Sequence, residues 1–163
     1  MKTILHDLGE SYDLLFRNKC ENVIHADGKY APCQGCFGCW TKHPAQCYMK
    51  DTLQTVCRTI GKADELIIIT ENHYGSYSPS IKNVLDRSIG GSTPFSTYRG
   101  KQMHHTLRYG KKKKLTVYAY GDMTTDEMNT FRYMAERNAL NYGYSAYEFR
   151  YIANPNELEG MAL

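Results

Sequence analysis

The chain has 163 residues, 42% hydrophobic and 23% charged, which fits one compact domain over residues 1–163 and excludes disorder, collagen-like repeats and a coiled coil. Its 20 Lys and Arg against 17 Asp and Glu leave a net charge of +3, too mild to mark a nucleic-acid binder. No apolar run approaches the roughly 18 residues of a membrane helix, and charges at Lys2 and Asp7 precede any signal-peptide core. A cytoplasmic protein with neither membrane nor nucleic-acid partner is expected. In that reducing compartment the six cysteines do not read as a disulfide framework.

Taken in chain order, residues 2–6 and 22–26 are strand candidates with room for only a short helix between them, and Ser11 is a candidate N-cap for it. Asp51 with Gln54 reads as the start of a helix that buries Leu53, Val56, Cys57 and Ile60 and stops at Gly61. Residues 64–70 are an uninterrupted apolar, β-branched run, the pattern of a strand covered on both faces. Ser78 and Pro79 then open a helix carrying Ile81, Val84, Leu85 and Ile89. Residues 115–120 form a further strand. Thr124 and Glu127 make a capping box for a helix with Met128, Phe131, Ala135 and Ala139 inward, ending at Gly143. Residues 146–152 alternate Tyr147, Phe149 and Tyr151 with Glu148 and Arg150, as a half-exposed edge strand does.

This alternation predicts an α/β fold, a doubly wound five-stranded parallel sheet flanked by helices. Ligands bind such sheets at the carboxyl ends of the strands. Residues 7–11, 30–47, 70–78 and 120–125 therefore converge on the expected site. In the third of these, Tyr74 and Tyr77 offer aromatic faces, Gly75 allows close backbone approach, and Asn72 and Ser76 offer hydrogen bonds to a planar ligand. An ordinary polar turn is the alternative, and His73 is either a solvated loop histidine or a proton donor.

Cys33, Cys36, Cys39 and Cys47 are spaced C-x2-C-x2-C-x7-C. Three thiols at steps of three can curl around an iron-sulfur cubane while a fourth arrives after a loop, and four thiolates also suit tetrahedral zinc. Cys20 and Cys57 read as packing residues. Between Asp86 and Asp122 there is no acidic residue, while Arg87, Arg99, Lys101, Arg108 and Lys111, Lys112, Lys113 and Lys114 supply eight positive charges beside His104 and His105. Gathered on one face, these would attract phosphates such as those of NADPH; otherwise the segment is a solvated loop.

The run Pro32-Cys33-Gln34-Gly35-Cys36-Phe37-Gly38-Cys39-Trp40, with Cys47, Asp51, Ala63-Asp64, Ile67-Ile68-Ile69, Tyr74-Gly75 and Lys82 to Asp86-Arg87, resembles the flavodoxin-like NAD(P)H-dependent FMN reductases and their iron-sulfur flavoprotein branch. The resemblance is dense from Pro32 to Arg87. It implies a flavodoxin-like sheet, FMN at the strand ends, NAD(P)H as co-substrate, a possible iron-sulfur cluster on Cys33, Cys36, Cys39 and Cys47, and a homodimer or larger oligomer. It also implies a cofactor site of Thr70, Asn72, His73, Tyr74, Gly75 and Ser76, closed by Tyr120, Gly121 and Asp122. Reductases of this look also keep such cysteines without metal, packed around residues like Phe37 and Trp40.

One stretch departs from the resemblance. Where the family carries a Gly-Ser-Pro-Arg type loop for the FMN phosphate, this chain reads Asp7-Leu8-Gly9-Glu10-Ser11-Tyr12-Asp13, whose three carboxylates oppose a phosphate dianion. The leading expectation is an FMN-dependent oxidoreductase passing electrons from NAD(P)H to a quinone, a flavin or another small acceptor. The alternatives are a flavodoxin-like binding or assembly subunit that has lost FMN, and an electron carrier using only a four-cysteine cluster.

Overall fold

The computed structural model describes residues 1–161 and 163 of the chain. Five strands, β1 (Lys2–His6), β2 (Asn22–His25), β3 (Glu65–Glu71), β6 (Lys112–Tyr120) and β7 (Tyr144–Tyr151), form one all-parallel sheet in the order β2-β1-β3-β6-β7. This is the doubly wound, flavodoxin-like arrangement that the alternation of elements implies. The central strand explains the layering. Leu66, Ile67, Ile68, Ile69 and Thr70 are all buried, so both sides of β3 need cover.

On one side the cover comes from α2 (Val56–Lys62), α3 (Pro79–Arg87) and α4 (Thr125–Tyr142), which bury Ile60, Ile81, Val84, Phe131 and Ala135. The other side receives α1 (Ser11–Arg17) through Phe16 and the 3-10 turn Pro155–Glu159 through Leu158. A seven-residue helix does not hold itself together in water. Burial of the Phe16 ring, about 2 kcal/mol, supplies what α1 lacks alone.

Several sequence signals act as read. The Ser78 hydroxyl accepts from the Ile81 amide at 3.4 Å with Pro79 in the first turn, and Thr124 and Glu127 form the reciprocal capping box. Gly143 ends α4 at φ +82, where a Cβ would lie 2.2 Å from Leu107 Cδ1. Other readings need correction. Ser11 is the first helical residue of α1, preceded by Glu10 with no side-chain cap. The helix expected from Asp51 begins only at Val56, because the Asp51 carboxylate is diverted to the Leu53 amide (3.0 Å), the Ala31 amide (3.4 Å) and the Arg87 guanidinium. Met128 is half-buried rather than core.

The basic stretch is not a loop. Most of it folds as an antiparallel hairpin, β4 (Ser92–Arg99) with β5 (Gln102–Leu107), and Lys101, Lys111 and Lys113 stay exposed around it while other cations bind backbone carbonyls. Arg99 donates to Leu140 and His105, Arg108 to Gly90, and the buried Lys112 ammonium to Ile60 at 3.1 Å. Cations near the last carbonyls of α2 and α4 satisfy groups that helix ends leave unpaired.

Residues 26–55 contain no regular element, and one ion pair fastens them to α3. The Arg87 guanidinium is fully buried and donates to Asp51 Oδ1 (2.7 Å), Asp51 Oδ2 (2.8 Å) and the Ala31 carbonyl (2.8 Å). That pairing holds the Asp51 carboxyl below its ordinary range. Two effects are expected in urea denaturation. Asp51→Ala strands a buried cation and costs about 3–5 kcal/mol, whereas Arg87→Met costs less, because the remaining carboxylate reaches water. The contribution of Asp51 is fully present above about pH 4 and is lost as pH falls through its depressed folded-state value.

Candidate functional site

At the carboxyl ends of β1, β3 and β6 one carboxylate joins three loops. Asp7, immediately after β1, accepts from the Thr70 hydroxyl (3.1 Å), the Glu71 amide (3.1 Å) and the Tyr120 hydroxyl (2.9 Å). Burial and the charge of Asp7 push the Tyr120 phenol up, so it stays a protonated donor. Thr70 is itself fully buried and accepts from the Ser78 amide at 3.0 Å, tying the strand end to the start of α3. Asn72 closes the second seam. Its side chain donates to the Asp122 carbonyl at 2.8 Å and accepts from the Gly75 amide at 3.0 Å, and its amide donates to the Tyr120 carbonyl.

The expected cofactor residues therefore lie at one edge, in two classes. Thr70, Asn72, Gly75 and Tyr120 are committed to holding the loops. Gly75 in particular sits at φ +75 with α4 pressed against it, where a Cβ would meet the Glu127 carbonyl oxygen at 2.9 Å. Tyr74, His73 and Asp122 face outward, Tyr74 being 91% exposed at φ +54. His73 Nε2 stands 3.6 Å from Glu71, and the Ser76 hydroxyl points to Met134. Tyr74 and Asp122 are exposed on the two loops that Asn72 ties together at the ends of β3 and β6.

The neighbouring corner does not suit a phosphate. Residues 7–16 carry no Lys or Arg, Leu8 is buried, and Asp7, Glu10 and Asp13 make the corner acidic. Asp13 Oδ1 faces His6 Nε2 at 3.1 Å and His25 Nδ1 at 3.4 Å. Burial holds the His6 imidazolium down, to about 4, so the ring is neutral at pH 7 and does not offset these carboxylates.

The four loop cysteines do not gather their sulfurs around a single ion. Among the described residues the only group of three or more His, Cys, Asp or Glu ligand atoms lying within 4.8 Å of one another is His6, Asp13 and His25, so the tetrahedral zinc alternative at Cys33, Cys36, Cys39 and Cys47 is not formed, and nothing supports an iron-sulfur cluster there. Cys33 and Cys36 are exposed. Cys39 instead lies beside the buried Cys57, whose thiol donates to the Arg87 carbonyl at 3.0 Å; the neighbouring Cys39 and burial push Cys57 up. Trp40 anchors the loop through its indole N–H to the Ile89 carbonyl (3.0 Å) and by packing between Phe37 and His105.

A cavity of about 530 Å³ lies elsewhere. It runs beneath the cysteine loop and the β4–β5 hairpin, bordered by Ile60, Tyr77, Leu85, His105 and Tyr142, and does not reach Tyr74 and Asp122. Sequence reasoning read Asp7 and Asp13 only as obstacles to phosphate and passed over His6 and His25. The available signal was that both early strand candidates carry a histidine near their carboxyl ends.

Comparison with known proteins follows the fold. A family profile described as NADPH-dependent FMN reductase matches residues 17–106. No curated protein matches the sequence. Among solved structures, the chain is similar to an FMN-dependent NADH-azoreductase from Bacillus anthracis in complex with FMN (TM-score 0.57, 11% identity, 98% of this chain and 92% of that one). It is also similar to an NAD(P)H:quinone oxidoreductase from Methanothermobacter marburgensis (TM-score 0.55, 12% identity, 97% and 92%). The Flv1 flavodiiron core from Synechocystis aligns with 99% of this chain, which spans about a third (32%) of that one (TM-score 0.50, 10% identity). At these identities the structural likenesses establish the fold.

Loss of the Asp7 junction should be graded. Asp7→Ala leaves the Glu71 amide and two hydroxyls without their acceptor and is expected to cost about 2–3 kcal/mol, against about 1 kcal/mol for Tyr120→Phe. Native-state hydrogen exchange of the Glu71 amide reads both, with faster exchange in Asp7→Ala.

Proposed function

The chain belongs to the NADPH-dependent FMN reductase family, and from that premise we propose that it is an NAD(P)H-dependent oxidoreductase that uses a flavin to reduce a quinone, a free flavin or another small acceptor. The observation that carries this reading is the pair of tied loops at the ends of β3 and β6. There Tyr74, Gly121 and Asp122 would seat a ring, Tyr74 and Asp122 being exposed, and Asn72, Gly75, Thr70 and Tyr120 hold the two loops in place. When bound, flavin accepts hydride and releases electrons singly or in pairs; the chain's part is to seat and orient the ring. His73 and Ser76 border the same loop. The domain is residues 1–163 taken as one unit, since both cores share the central sheet. A homo-oligomer is supported by the exposed apolar side chains Phe95, Tyr98 and Met103 on the hairpin. No helix among the described residues is long and apolar enough to cross a membrane.

The phosphate end does not fit the chain's own residues, and this supports a second reading, a binding or assembly subunit without flavin. Flavin titration separates the two. The oxidoreductase reading expects metal-free protein to bind FMN and riboflavin with about equal affinity, because a site that held the phosphate would favour FMN by tenfold or more, about 1.4 kcal/mol. It also expects NADH or NADPH to be oxidised when FMN and a quinone are supplied. Absence of both flavin binding and nucleotide oxidation establishes the cofactor-free reading instead.

A further inference from the structure

β1 and β2 each end in a histidine, and the parallel register sets the two side by side. His6 pairs with His25, and their rings stack with centroids 4.9 Å apart at 14°. α1 then folds back over both strands and delivers Asp13 from its first turn. Asp13 Oδ1 stands 3.1 Å from His6 Nε2 and 3.4 Å from His25 Nδ1, and all three atoms lie within 4.8 Å of one another.

These approaches are not hydrogen bonds. His6 is fully buried, yet neither of its ring nitrogens has a hydrogen-bond partner, and Asp13 Oδ1 has none either. Buried polar atoms are almost always partnered, because leaving them bare costs free energy. Two of these atoms, His6 Nε2 and Asp13 Oδ1, face each other with His25 Nδ1 beside them, and want a common partner. Two imidazoles and a carboxylate are the donor set of first-row divalent ions that favour nitrogen and oxygen. With zinc–ligand bonds of about 2.0–2.1 Å, the corners of a tetrahedral site stand roughly 3.3 Å apart. The two short separations fall on either side of that spacing.

We propose that His6 Nε2, His25 Nδ1 and Asp13 Oδ1 bind one divalent transition-metal ion, with zinc the best match, leaving a fourth position open toward solvent for water or another oxygen donor. The opening lies on the side of His25 and Asp13, whose side chains are 20% and 24% exposed. Three protein ligands with one free position is the arrangement of reactive rather than purely structural zinc sites. The ion also offsets the carboxylates of Asp7, Glu10 and Asp13, which otherwise meet no cationic side chain within residues 7–16. The site does not depend on the flavin reading, because it is assayed with no flavin present.

The full chain, stripped by a chelator, is titrated with zinc chloride by calorimetry. Asp13→Asn, His25→Ala and a variant with Cys33, Cys36, Cys39 and Cys47 all changed to Ser are titrated beside it, since thiols also bind zinc. One ion per chain is expected in the parent and in the four-serine variant, weakened at least tenfold by Asp13→Asn and by His25→Ala. Cobalt-loaded protein should show tetrahedral ligand-field absorption without thiolate charge-transfer bands. The proposal is overturned if the parent binds no stoichiometric zinc, or if binding survives both ligand substitutions and disappears with the cysteines. Should His25→Ala fail to fold, Asp13→Asn, which preserves volume, makes the same comparison.

Discussion

The contact on which most of this structure leans is the bidentate pair between Arg87 and Asp51. Some thirty residues between β2 and α2 have no ladder or helix of their own, and a segment of that length holds a fixed course only where side chains bind it. Asp51 takes the guanidinium on one side and two backbone amides on the other, so a single carboxylate sets both the turn into α2 and the path of the cysteine loop. Cys57 donating to the Arg87 carbonyl and Trp40 donating to Ile89 add two further ties to the same stretch of chain. A cation buried this deeply is costly without its partner, which makes the pair a strong constraint on where the loop can lie.

The ligand edge follows a different logic. A phosphate loop needs free amides and positive charge at the β1–α1 corner. Here the corner holds Asp7, which acts as an internal acceptor for two neighbouring loops, and Asp13, which faces two histidines. The loops after β3 and β6 are tied together by the Asn72 side chain donating to the Asp122 carbonyl. Family membership and fold are thus retained while the chemistry of one corner is exchanged, as expected when function resides in the site rather than the scaffold.

How much of this was legible in the sequence follows from how local each cause is. The apolar run of β3, the Ser78-Pro79 cap and the Thr124–Glu127 box are set by residues within a few positions of one another, and they appear as read. The start of α2 was misplaced because Asp51 chose a partner 36 residues away over the helix it precedes. The β4–β5 hairpin was hidden by its charges, since Arg99 and Arg108 look solvated until the carbonyls of Leu140 and Gly90 are brought beside them. The residues read as a cofactor site share one edge of the sheet, but their division into supports and exposed faces depends on the Asp7 and Asn72 hydrogen bonds. The His6–His25 juxtaposition needed the register of two short strands, which composition does not report.

The position of β7 at the rim of the sheet has one more consequence. Its outer row of amides and carbonyls has no ladder partner, and Tyr147 and Tyr151 stand exposed beside it. An open rim of this kind is a template on which another chain can add a strand. Glu148 and Arg150 alternate with those tyrosines and are bound to each other, with Lys114 of β6 completing the cluster. An incoming apolar strand would have to bury or displace that charged rung, so the rim resists runaway sheet growth by other copies of the chain. The opposite rim, β2, is only four residues long and gives a visiting strand little to hold.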